Sequence, residues 1–516
     1  MSWLTGRGAV IPGRGAPGLS LTLIVAALGI AALGGVVGAT GNVNMYVTLV
    51  ALLAAAVMLV SRSALLWFAI FGGTVIVGVL QLYWPETRYV RYVFPLVGCG
   101  LVLHGILDLL ARAEYSRAAA GPAIWPWAAG FFGIALLSLL INFSSLDAAV
   151  MGLKTYFQMW PFLLGLVLVR WSPGVIRTIP RAMLLIVFLQ LPFVVHQYVF
   201  LVPLRYGLGT APVGFQPADI VAGTFGAHLY GGGANAVLAA FMMMALACFA
   251  GLWKHGALTT PRAVLLSLLC ISPLLLNQTK ISVLYLLLVF VVLFFRDVVK
   301  KPATFVLAAL SMAGLLAVLM TAMVMTHGHL EDRSWRGLID FTVQSQQTTI
   351  RERSGQFSEL TRWTALTFWA EEHSRANPVT TLIGHGPGAS RVQEEGLSGT
   401  VDSLAKQRYN GLQIGYTALS ALLWDTGIVG LVVTLGLFLS AFRSAGWISA
   451  HYRGRDPFRA GLFEGLRAAI AVLALSLAHK DFYIYHMPYQ TLVLLVLGFL
   501  MVYRQQIVGR DDVTAE

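Results

Sequence analysis

The residue types best suited to chemistry in this chain are cations gathered where long apolar runs end. Arg333, Arg336, Arg351, Arg353, Arg362, Arg375, Arg391 and Arg408 all fall within one charged stretch, 327–411, which also holds ten acidic side chains. A guanidinium stays protonated, and its planar fork matches a pair of phosphate oxygens. Such groups could grip an anionic ligand, or they could be paired off by their acidic neighbours on a wet surface. Arg362 stands apart because it adjoins Trp363 on the segment leading to Gly384-His385-Gly386-Pro387-Gly388. Three glycines in five residues allow a tight turn whose N–H groups can point at an anion, or one that merely separates two elements. Lys280, Lys154, Arg205 and Asp425 lie at the ends of apolar runs. The lysines could snorkel to headgroups and Asp425 could cap a helix; alternatively Lys280, Arg205 and Asp425 line one cavity beneath the charged stretch. His104, His196 and His228 sit in apolar runs and read as hydrogen-bonded core residues, and His327 and His329 lack the neighbours of a metal site.

The elements that must position these groups are membrane spans. The chain has 516 residues, 57% hydrophobic and only 11% charged, with a mean hydropathy of +0.75. Ordinary globular proteins carry roughly 25% charged residues, so a cytosolic enzyme, a disordered protein and a nucleic-acid binder are excluded. The net charge of +12 is spread as short punctuation between apolar runs rather than clustered on a solvated domain. Cys99, Cys248 and Cys270 all lie inside such runs and suggest neither a disulfide framework nor a zinc site. A span needs about 20 predominantly apolar residues. That rule predicts an all-α polytopic membrane protein of about 14 helices, near 20–39, 44–60, 64–83, 92–110, 122–142, 148–169, 182–202, 226–252, 263–277, 281–295, 302–325, 427–442, 463–479 and 485–503. The first is read as a retained span rather than a cleaved signal peptide.

Lys and Arg in the short connections orient the bundle. With the N-terminus cytoplasmic, nineteen such residues fall inside and five (Arg88, Arg91, Arg205, Lys280 and Lys480) outside. Both termini are therefore expected in the cytoplasm. The predicted organisation is a cytoplasmic N-terminus over 1–19, a transmembrane bundle of about 11 spans over 20–325, a large extracytoplasmic loop with short helices over 326–412, a re-entrant or short helix plus three spans over 413–503, and a cytoplasmic tail over 504–516. Within the loop, Gln356 to Arg375 is expected to lie as a helix along the membrane surface, with Leu360, Trp363, Leu366 or Thr367, and Ala370 on one face. Asn377-Pro378 should end it.

This arrangement resembles the O-antigen ligase / O-antigen polymerase family. Four patterns carry the likeness: Arg362-Trp363-Thr364-Ala365-Leu366 leading to Leu382-Ile383-Gly384-His385-Gly386-Pro387-Gly388; Asp425-Thr426-Gly427-Ile428-Val429-Gly430-Leu431; Gln278-Thr279-Lys280-Ile281-Ser282; and Gly223-Thr224-Phe225 with Gly233-Ala234-Asn235. They run from about Gly223 to Leu439. Tyr416-Thr417 stands where ligases of the family carry a His-Asn or similar pair, and Thr279-Lys280 replaces a Ser-Arg pair, which favours a polymerase over a lipid A-core ligase. The resemblance implies metal-independent, inverting glycan transfer on the outer face of a bacterial inner membrane, in surface or exopolysaccharide synthesis, with no cofactor. The donor would be an oligosaccharide on a polyprenyl pyrophosphate and the acceptor another glycan, with membrane lipids, a length-control protein as a further candidate partner, and no nucleic acid. On that reading Arg362, His385 and Asp425 are the catalytic candidates, with Glu359 behind them. Lys280, Arg205, Arg351, Arg353, Gly384, Gly386 and Gly388 would bind the donor pyrophosphate, and no residue would bind metal. A lipid-linked oligosaccharide flippase or exporter is the alternative; it predicts related halves and helices broken at mid-membrane. A receptor or scaffold is a third reading.

Overall fold

The computed structural model describes residues 61–111, 123–207, 217–226, 229, 233–300, 302–326, 332–347, 360–374, 377–391 and 403–515. The chain divides into two compact units, 1–61 and 62–516. The expected spans 20–39 and 44–60 lie outside the described residues, as do the candidate site residues Arg351 and Arg353, and Glu359.

The second unit is helical, with no strand among the described residues. In chain order its helices are α1 Arg62–Tyr83, α2 Val90–Leu110, α3 Trp125–Ile141, α4 Leu146–Phe157, α5 Trp160–Leu168, α6 Pro173–Arg205, α7 Asn235–Lys254, α8 Thr260–Asn277, α9 Ile281–Lys300 and α10 Pro302–Thr326. There follow α11 Trp335–Gln347, α12 Arg362–His373, α13 Pro378–Ile383, α14 Leu404–Tyr409, α15 Ala418–Tyr452, α16 Pro457–Ser476, α17 Phe482–Tyr485 and α18 Met487–Ala515. Seven stretches among the described residues are long and apolar enough to cross a membrane: α1, α2, α6, α7, α8, α15 and Met487–Val508 of α18. This is an all-α membrane protein.

Several expected spans differ for local reasons. The run 148–169 divides into α4 and α5 around Gln158-Met159. Pro161 lacks an N–H and its ring collides with the carbonyl four residues earlier, so one continuous helix there is disfavoured. The stretch 463–479 belongs to α16, which carries Arg459, Glu464 and Arg467 and yet is buried along most of its length. Glu464 is buried, and Arg467 Nη1 lies 3.9 Å from its Oε1. Small residues let α16 sit deep: a Cβ on Gly251 of α7 would fall 2.4 Å from the Gly461 carbonyl oxygen and 2.7 Å from the Gly465 nitrogen. Glycines four apart are the pattern that lets membrane helices touch backbone to backbone. Finally, α12 is shorter than expected and begins at Arg362, where Thr361 and Thr364 form a reciprocal cap. Its residues Ala365, Phe368 and Trp369, with Leu360 just before the helix, pack in one cluster with Trp424, whereas Trp363 is 64% exposed. Pro378 starts α13.

Candidate functional site

Two glycine-bearing segments interlock at the centre of the site. Gly427 has φ +67° and ψ −169°, which interrupts α15 nine residues after it starts. A helix broken there leaves carbonyls of the preceding turn without their usual donors, and the loop after α13 supplies replacements. His385 N–H donates to the Trp424 carbonyl at 2.8 Å and Gly386 N–H to the Asp425 carbonyl at 3.0 Å. Approach this close needs glycine on both sides. A Cβ on Gly427 would stand 2.3 Å from the Leu382 carbonyl oxygen, and one on Gly384 (φ +84°) would stand 2.5 Å from the Asp425 carbonyl carbon.

The turn does cradle an anion, and the anion is the chain's own. The Asp425 carboxylate is buried and accepts hydrogen bonds from Gly388 N–H at 3.0 Å, Ser390 N–H at 2.8 Å and Tyr156 Oη at 2.8 Å. Ser138 Oγ of α3 donates to the Asp425 carbonyl at 2.8 Å and accepts from Gly386 N–H at 3.0 Å. Gly384 N–H donates to Thr380. The amides of Gly384, Gly386 and Gly388 are thus spent inside the protein, which corrects their assignment as ligand donors. Asp425 is neither a helix cap nor a surface group. It holds the turn in place.

Lys280 lies within electrostatic reach of Arg362. Arg205, at the end of α6, is 4% exposed; its Nη1 donates to the Pro217 carbonyl at 3.5 Å, and its Nη2 has no hydrogen-bond partner among the described residues. Asp219 lies within electrostatic reach of both Arg205 and Lys280. Lys280 follows the α8–α9 turn, where Gln278 adopts a left-handed conformation at φ +56°. Burial lowers its ammonium to about 8, the Arg362 guanidinium pushes the same way, and Asp219 opposes both. Arg362 Nε donates to the His479 carbonyl at 2.8 Å. Its guanidinium carbon stands 5.9 Å from the centre of the Tyr416 ring, and Lys480 Nζ stands 4.3 Å from the same ring. Tyr416 thus serves two cations.

Short polar contacts hold this assembly. Asn235 Nδ2 donates to Asp219 Oδ1 at 3.2 Å, while Asn277 Nδ2 donates to the Asn235 carbonyl at 2.6 Å. One of the segments singled out in the sequence, Gly233–Asn235, therefore meets Asn277, the residue just before another, Gln278–Ser282. The third, Gly223-Thr224-Phe225, is pinned by buried glutamines of α6: Gln197 Oε1 accepts from Gly223 N–H at 2.8 Å and Gln190 Oε1 from Thr224 N–H at 2.9 Å.

His385 sits apart from the cations, in a ring cluster with His373 and Trp424 at centroid distances of 5.5 and 5.8 Å. Burial, helped by His373 and Arg408, lowers its imidazole to about 4, so it is neutral near pH 7. It lines a cavity of about 200 Å³ between the α3–α4 connection, the glycine turn and α14. Arg391 also lines this cavity, and its guanidinium carbon lies 4.4 Å from the Tyr485 ring centre. Asp481 lies within electrostatic reach of Lys480 and Arg391; burial raises its carboxyl while both cations pull it back.

Sequence reasoning missed Asp219, Asp481, Tyr156 and Ser138, and passed over Lys480, one of the few basic residues it placed on the outer side. His196 is hydrogen-bonded as expected, to Tyr83 Oη through Nδ1 at 2.9 Å. Lys154 meets Tyr92 Oη at 3.2 Å. Among the described residues no group of three His, Cys, Asp or Glu side chains could hold a metal ion. Compared with known proteins, the chain matches no family model and no curated sequence.

Proposed function

We propose that this protein is a membrane-embedded glycosyltransferase that moves or polymerises oligosaccharide units from a polyprenyl-pyrophosphate donor on the outer face of a bacterial inner membrane. The observation that carries the reading is a series of charges from distant parts of the chain: Asp219 lies within electrostatic reach of Arg205 and Lys280, and Lys280 within reach of Arg362. With Lys480 beside Arg362 at Tyr416, these four cations face two carboxylates among the described residues, Asp219 and Asp481. A diphosphate arriving there would restore the balance. Its departure from the anomeric carbon develops negative charge, and fixed cations in a partly desolvated site stabilise such charge at little reorganisation cost.

In this mechanism Lys280, Arg205 and Arg362 hold the leaving diphosphate, and a sugar hydroxyl attacks from the opposite face with inversion. His385 is neutral and lines the cavity, which places its imidazole to accept the hydroxyl proton. Asp425 acts at one remove, by positioning the turn that carries His385. The test is to supply purified protein with a lipid-pyrophosphate oligosaccharide and follow chain length without ATP or added divalent metal. Longer chains are expected from the native protein and none from Lys280→Ala or Arg362→Ala. Equal extension by those two variants would overturn the site assignment.

The break at Gly427 gives the transporter reading one supporting feature, because broken helices are common in transporters. Here, however, the freed carbonyls bond the protein's own loop rather than facing a channel. ATP- or gradient-dependent movement of the lipid-linked glycan, with its length unchanged, would favour transport.

A further inference from the structure

The cavity beside the glycine turn is separate in composition from the cation cluster, and none of the residues assigned to the leaving diphosphate lines it. Its volume of about 200 Å³ is below the roughly 300–1,000 Å³ of pockets that take drug-sized ligands, and suits a single ring. The wall combines neutral hydrogen-bonding side chains (Asn142, Ser144, Gln407 and the uncharged His385) with apolar ones such as Leu139 and Met151. A pyranose has that same mixture, hydroxyls around its edge and C–H faces above and below. Glycine backbone at Gly152, Gly386 and Gly388 forms part of the surface. Among the described residues of the wall one is charged at neutral pH, and it is Arg391.

Arg391 is held in position. Its N–H donates to the Gly388 carbonyl at 3.2 Å, and its own carbonyl accepts from Ser403 Oγ. The guanidinium stacks on Tyr485, whose hydroxyl lies 3.3 Å from Ser390 Oγ. Ser390 in turn is fastened to Asp425 by its N–H. A guanidinium fixed this way suits a carboxylate, which it can engage with two parallel hydrogen bonds. Asp481, also within reach of Arg391, is not part of the wall.

The geometry points to a sugar-binding subsite in this cavity that takes one ring bearing a carboxylate, a uronic acid residue, with Arg391 reading the carboxylate. This deepens the glycan-transfer reading and rests on it for one point, that the bound ring is the end of the acceptor chain, its hydroxyl presented to His385.

Saturation-transfer NMR on the full-length protein in nanodiscs, titrated with methyl glucuronide or methyl glucoside, tests the subsite directly. The glucuronide should bind at least about tenfold more tightly, the scale of a charge-assisted hydrogen bond. Arg391→Gln should remove that preference while the glucoside still binds. Ala148→Phe, which fills the cavity, should abolish binding of both; Ser144→Trp at an exposed wall position is a second filling variant if the first does not fold. Equal binding of the two sugars, or binding that survives both folded filling variants, overturns the proposal. Extension assays with uronate-ended and neutral acceptors separate this outcome from failure of the broader reading. Glucuronide binding without any chain extension would overturn the transferase, leaving the subsite. Extension with no uronate preference and no glucuronide binding would overturn the subsite alone.

Discussion

Lys280 is the residue whose chemistry is most tunable. Burial and the nearby Arg362 hold its ammonium at about 8, below the usual lysine range. Donor binding should therefore be nearly independent of pH below about 8, where the ammonium is already charged. Above that value, a diphosphate that prefers the charged form must draw in a proton, and affinity should fall by up to about tenfold per pH unit. Titration of donor affinity from pH 6.5 to 9.5 checks this, and a profile flat through pH 9 would contradict it. In Arg362→Gln the alkaline limb should move upward, because one of the two causes of the low value is gone. Lys280→Ala should cost roughly 2–5 kcal/mol of donor affinity, the range for removing one partner of a buried charge pair. Asp425→Asn should destabilise the turn by about 1–3 kcal/mol, since an amide NH2 would then face the Gly388 or Ser390 N–H. Limited proteolysis of the Gly384–Arg391 segment reads that loss. Arg362 stood out by its place beside Trp363 before the glycine turn, and the positions of Lys280 and Arg205 at the ends of apolar runs were legible in the sequence, because charge at a membrane boundary is costly and conspicuous. The role of Asp425 was not. Its partners Tyr156 and Ser138 lie 269 and 287 residues away, and nothing local shows that the glycine turn closes on that carboxylate.

At the scale of elements, the site depends on one helix being broken and one loop filling the break. Gly427→Ala or Gly384→Ala would place a side chain at a positive φ and against backbone 2.3–2.5 Å away. Each should cost roughly 1–3 kcal/mol from conformation alone, with the collision added. Thermal unfolding should show a lower midpoint for both, whereas Gly256→Ala, where φ is also positive but a Cβ meets nothing within 4 Å, should show only the conformational part. A midpoint for Gly427→Ala no lower than that of Gly256→Ala would contradict the interlock. Hydropathy located most helices, since the apolar runs are long. It did not show two local features: the division at Pro161 within an apolar run, and the burial of the charged Glu464 in α16. Spacing alone does not say which of two apolar stripes of α12, that of Trp363 or that of Ala365 and Phe368, packs with Trp424.

For the whole molecule, the account requires the α11–α14 segments and the cation cluster to share the outer side of the membrane. Glu371→Cys, at an exposed position of α12, placed in a background without Cys99, should react with a membrane-impermeant thiol reagent in intact spheroplasts. Reaction only after lysis would invert the topology. The direct test of the central claim is diphosphate capture by the converging cations. Isothermal titration of the protein in nanodiscs with a polyprenyl-pyrophosphate oligosaccharide should give binding that weakens about tenfold or more in each of Arg205→Gln, Lys280→Ala and Arg362→Gln. The exposed Arg336→Ala, which removes an ion pair with Asp340 at 3.8 Å, should leave it unchanged. Native affinity in all three cluster variants would contradict the account.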